Sequence, residues 1–136
     1  MAPIYDAPAS RHLDAAVARA LGLPVARGAG RQFTQERDWT DEGDYYLDVG
    51  VVPKLLPGYS TQQWYEDRGA LMDVVLWLAR HHGVHLSIDA GGASARADRD
   101  TPVSSVPGDD LRALALVVCR VACEAAGIYE IAEETR

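Results

Sequence analysis

The chain predicts an α+β fold, a small antiparallel sheet packed with about three helices in a sandwich-like arrangement. Three observations carry that expectation. Residues 107–127 read as one alanine-rich and largely apolar helix, residues 84–98 alternate strictly between apolar and polar around a glycine turn, and two further helical segments stop at Gly22 and Gly83.

The longest of these segments organises the rest. Gly108 or Asp109 can cap its start, Asp109 and Asp110 place negative charge at the positive end of the helix dipole, and Gly127 suits a left-handed C-terminal position. Between them Arg112, Arg120 and Glu124 are the only charged residues, and they share one stripe. Leu111, Leu114, Ala115, Val118, Val121, Ala122 and Ala125 leave roughly two-thirds of the circumference apolar, so the helix must be covered on several sides.

A length of 136 residues suits a single domain over 10–136, preceded by a flexible N-terminal arm over 1–9 that contains Pro3 and Pro8 and no periodic pattern. Thirteen basic residues against 20 acidic ones give a net charge of −7. That balance argues against direct nucleic-acid binding and against anionic membranes. With neither a signal peptide nor a membrane-length apolar run, the expectation is a soluble, cytoplasmic protein. Cys119 and Cys123 stand four apart on one helix, too rigidly held for an ordinary disulfide, so reduced and buried thiols are expected.

In chain order, Ser10 caps a short amphipathic helix whose apolar face is Leu13, Val17, Ala20 and Leu21, closed by Gly22 and Pro24. Residues 25–44 form a glycine-containing, charge-rich connection. A connection of that length is often functional when ordered. Residues 45–52 alternate as a strand with Tyr45, Leu47, Val49 and Val51 on one side, ended by Pro53. Ser60 and Thr61 then offer a second N-cap, with Gln63 placed for a capping box, to a helix reaching residues 80–82. The hairpin follows. Val84, Leu86, Ile88, Ala95 and Ala97 share one face, and the small alanines invite a helix to lie close; His85, Ser87, Asp89, Ser94, Arg96 and Asp98 share the other.

Most candidate chemistry has a simpler structural explanation. His81, His82 and His85 are the one histidine cluster, but they lack the ligand set of a closed zinc site, and cationic side chains suit the last turn of a helix. No metal and no cofactor is expected. The acidic run Glu36, Asp38, Asp41, Glu42, Asp44 and Asp48 lacks the order of a calcium loop. Ser87, His85 and Asp98 supply the residue types of a nucleophilic triad, yet strand neighbours at i and i+2 stand about 7 Å apart, beyond hydrogen-bond reach. Gly28-Ala29-Gly30-Arg31 lacks the ending of a phosphate loop. What remains is a concentration of aromatic residues and arginines in the middle of the chain, which can hold a nucleobase and a phosphate. The candidate ligand-binding residues are Arg31, Arg37, Trp39, Tyr45, Tyr59, Trp64, Arg96 and Arg112.

The order of motifs, Leu13-Asp14-Ala15-Ala16-Val17-Ala18 ending in Gly22, then Pro57-Gly58-Tyr59-Ser60-Thr61, then a helix and hairpin, then the alanine-rich segment 114–122, resembles the phage ABA-sandwich domain family. The match spans about Ser10 to Gly127. The resemblance implies a phage or prophage protein of helices packed on a small antiparallel sheet, and it implies no catalytic residues. If both sheet faces are covered, the polar hairpin face needs a partner: the aromatic segment, the first helix or a second subunit. The expected function is that of a non-catalytic accessory protein, not an enzyme, with an anti-defence role in which it sequesters a small nucleotide-like ligand. The competing expectation is an acidic inhibitor docking on a host protein. A homodimer is compatible with either.

Overall fold

The computed structural model describes residues 2–28, 44–49, 54–97, 104–108 and 110–131. Among them are three α-helices, α1 (Arg11–Ala20), α2 (Asp67–His81) and α3 (Leu111–Ala125), and a 3-10 turn over Ile4–Asp6. The strands are β1 (Ala2–Pro3), β2 (Val25–Gly28), β3 (Asp44–Leu47), β4 (Lys54–Leu55), β5 (His85–Asp89), β6 (Gly92–Arg96), β7 (Ser104–Val106) and β8 (Glu130–Ile131). The class is α+β, as predicted. The strands are divided, however, among three antiparallel sheets of order β1-β8, β2-β3-β4 and β5-β6-β7, where the sequence suggested one.

Helix α3 lies at the centre and packs against β6 and β7, against α1 and α2, and against the 3-10 turn. Ala115, Val117, Val118, Val121 and Ala122 are fully buried along it. Close approach to the sheet follows from side-chain size, because Ala93 and Ala95 on β6 are only 1% exposed beneath the helix. The helix ends as its sequence predicts. Gly127 sits at φ +84°, its N–H donates to the Glu124 carbonyl at 3.0 Å, and the Ile128 N–H donates to the Cys123 carbonyl at 2.8 Å, which together form a Schellman closure. Gly22 closes α1 in the same way, at φ +81°. At the other end of α1, the Ser10 hydroxyl accepts from the Leu13 N–H at 3.1 Å.

Several expectations are corrected. Asp110, not Gly108 or Asp109, caps α3, its carboxylate accepting from the Ala113 N–H at 2.9 Å. Helix α2 starts at Asp67, six residues beyond the predicted Ser60-Thr61 cap, because both hydroxyls are engaged elsewhere. Its entry turn is held instead by Asp67, whose carboxylate accepts from the Trp64 N–H at 2.9 Å, and by the Gln62 amide, which donates to the Tyr59 carbonyl at 3.0 Å. The N-terminal arm is docked: Ile4 and Ala7 are buried in the core, and β1 pairs with β8. Residues 25–28, assigned to a connection, form a strand in register with β3 from Val25 opposite Leu47 to Gly28 opposite Asp44. Residues 29–43 of that connection, together with Val51, Pro53 and Asp98, lie outside the described residues, and Asp44 opens β3.

Cys119 and Cys123 are free, fully buried thiols. Burial pushes both up, Cys123 to about 12. A raised thiol value favours the folded state fully below the ordinary 9.0 and loses that contribution as pH climbs toward about 12. Neither thiol should react with a disulfide reagent in native buffer, and both should react at once in urea. Prompt labelling of either in the native protein would contradict the packing.

Candidate functional site

The site is built on a buried carboxylate. Asp14, on α1 and fully buried, accepts from the Ser60 N–H at 2.6 Å, from the Ser60 hydroxyl at 2.6 Å and from the Thr61 hydroxyl at 2.8 Å. Arg11, one turn earlier, donates to the same carboxylate at 3.0 Å and to the Leu56 carbonyl at 2.7 Å. Burial raises the Asp14 carboxyl above its ordinary value, while the Ser60 hydrogen bonds and the Arg11 charge oppose that shift. This network ties α1 to the turn over residues 56–61. It also positions Trp64, since the Arg11 guanidinium stacks over the indole at 5.8 Å.

Trp64 lines a cleft of about 460 Å³ between the start of α2 and the start of α3, with Gln62, Tyr65, Arg68, Asp110 and Arg112 among its walls. Tyr65 is 80% exposed, and the Arg68 guanidinium lies 5.2 Å from its ring centroid. Arg68 and Arg112 are both exposed and have no ion-pair partner among the described residues. The cleft therefore presents two aromatic planes and two cations with no ion-pair partner among the described residues. Such a set can stack a planar group and bind an anion, with Asp110, already engaged as the α3 cap, as the one carboxylate among the described lining residues.

Of the eight predicted ligand residues, Trp64 and Arg112 meet here. Tyr59 does not. It is 3% exposed in the core, where burial raises its phenol well above the ordinary range, and it does not line the cleft. Tyr45 is buried on β3, its hydroxyl 2.8 Å from His12 Nδ1 and its ring under Arg19 at 5.7 Å. It borders a separate, smaller cleft with His12, Arg19 and Glu130. Arg96 lies on β6 opposite His85, away from both clefts. Arg31, Arg37 and Trp39 lie outside the described residues. Tyr65 and Arg68 belong to the aromatic and arginine concentration seen in the sequence but were not among the eight candidates, although the i, i+3 spacing of the two was an available signal.

Among the described residues the competing chemistry does not assemble. His81 and His82 pack around Trp77, with ring centroids 5.7 and 5.2 Å from it, while His85 departs along β5. Ser87 faces Ser94 and His85 faces Arg96. Among the described residues no three His, Cys, Asp or Glu side chains gather as a metal ion would need, and no helix is long and apolar enough to cross a membrane.

The fold and cleft together define an α+β domain with an aromatic and cationic surface cleft. Comparison of the chain with family models, curated proteins and solved structures returned no match.

Proposed function

We propose that this is a non-catalytic phage accessory protein that sequesters a small, nucleotide-derived anion in the cleft between α2 and α3, in an anti-defence role. One observation carries the ligand class: two arginines without ion-pair partners among the described residues flank Trp64 and Tyr65, in a protein whose net charge is −7. A surface that acidic concentrates its binding of anions where cations stand unpaired. Aromatic faces add affinity for a base in particular. The phage setting rests on the resemblance of the motif order to the ABA-sandwich family.

The test is a thermal-shift titration with purine mononucleotides and cyclic dinucleotides, paired with native mass spectrometry. A melting temperature that rises with ligand concentration is expected. Trp64→Ala, Arg68→Ala and Arg112→Ala should each weaken binding roughly tenfold or more while leaving the unliganded melting temperature nearly unchanged, since a charge-assisted hydrogen bond or a stacked base is worth about 1.5–3 kcal/mol. Indifference to every nucleotide, combined with salt-sensitive capture of a basic protein, would overturn this reading in favour of an acidic inhibitor.

A further inference from the structure

Strand β5 is the outer strand of its sheet, paired with β6 on one side and with no described strand on the other. All five of its residues are exposed, Leu86 at 40% and Ile88 at 46%, although the alanines opposite them on β6 are sealed beneath α3. The helix covers β6 and β7, and the two aliphatic side chains project beyond it. Natural edges are usually blunted by lysine, proline or a bulge. This one has none of the three: its sequence is His-Leu-Ser-Ile-Asp, and its register with β6 runs unbroken from His85 opposite Arg96 to Asp89 opposite Gly92.

We infer that β5 pairs antiparallel with β5 of a second copy of this chain, about a two-fold axis at Ser87. The segment is complementary to itself in that register. His85 stands opposite Asp89 of the partner subunit and Leu86 opposite Ile88 of the partner subunit, and the symmetry repeats both pairs. Both His–Asp pairs, in which the imidazole N–H can donate to the carboxylate, fall on the polar face and both aliphatic pairs on the other, because pairing preserves the alternation. Moving the axis to Leu86 or Ile88 sets His85 or Asp89 against Ser87 and loses both His–Asp pairs. Arg96, beside His85 on β6, adds a cation behind each pair. The product is a continuous six-stranded sheet, β7-β6-β5-β5-β6-β7, in which the unpaired edge and the exposed Leu86 and Ile88 are covered together.

Sedimentation equilibrium of the full chain over a wide concentration range should show a reversible dimer. Ile88→Lys, at an exposed position, should leave a folded monomer. Two changes at His85 separate the interface from effects inside one chain. His85→Asp gains Arg96 within its own sheet but faces Asp89 of the partner subunit, so it should raise the dimer dissociation constant about tenfold, the like-charge penalty being counted twice by symmetry. His85→Lys faces Arg96 unfavourably within the chain yet should keep or tighten the dimer. A monomer at every concentration would overturn the inference, as would a dimer indifferent to Ile88→Lys and His85→Asp. Circular dichroism of each variant verifies that it remains folded.

Discussion

Asp14→Ala should lower the free energy of unfolding by about 3–5 kcal/mol, the cost of removing one partner from a buried, charge-assisted network. The substitution strands the buried Ser60 N–H and hydroxyl and the half-buried Thr61 hydroxyl and leaves Arg11 without its carboxylate. Urea denaturation followed by far-ultraviolet circular dichroism measures the change. A loss below about 1 kcal/mol would mean that water satisfies those donors, and the network would then not be structural. Because Arg11 stacks over Trp64, indole fluorescence should shift as well, reporting that the cleft wall has moved. Asp14→Asn keeps the shape and should cost less. The asparagine also removes a pH dependence of known sign. Burial raises this carboxyl above its ordinary 3.8, so its contribution to stability is fullest below that pH and declines as pH rises through the folded value.

The second large effect concerns Arg120. It is 8% exposed on α3 and donates to the Ala7 carbonyl from Nε at 3.0 Å and from Nη2 at 2.7 Å. Burial lowers the affinity of the guanidinium for its proton, and Asp6 partly offsets that. Arg120→Ala should cost about 2–4 kcal/mol, combining a buried carbonyl left without a donor with the cavity left by the side chain. The damage should be local. Hydrogen exchange should accelerate over residues 2–9 before the α3 amides respond, since Ile4 and Ala7 lose their tether. Uniform acceleration across the chain, or none, would show that the arm is held by something other than Arg120.

Both residues show where sequence reading stops. Ser10, Gly22 and Gly127 were legible because a helix cap is a local event, decided by residues three to five apart. Asp14 read as an ordinary polar residue in the first turn of an amphipathic helix, since its partners lie 46 and 47 residues away. Arg120 read only as one of three charges on a single stripe, because its acceptor is 113 residues distant. The false start of α2 has the same origin. Ser60 and Thr61 satisfy every local rule for a cap, yet Asp14 offers their hydroxyls a buried charge, which binds more strongly than a helix N–H.

The cleft divides in the same way. Aromatic and arginine content marked the middle of the chain, but content does not say which rings face outward. Tyr59 and Tyr65 are six residues apart, one at 3% exposure and the other at 80%. The turn between them, knotted by Gln62 and Asp67, makes that difference.

The sequence by itself determined the α+β class, the apolar central helix, the hairpin and the helix ends, because periodicity and caps are short-range properties of a chain. Only the tertiary structure decided that the N-terminal segment is docked, that the described strands divide among three sheets, and that Trp64, Tyr65, Arg68 and Arg112 share one cleft. Those outcomes depend on which distant donor meets which buried acceptor, and that matching has no periodic signature in the chain.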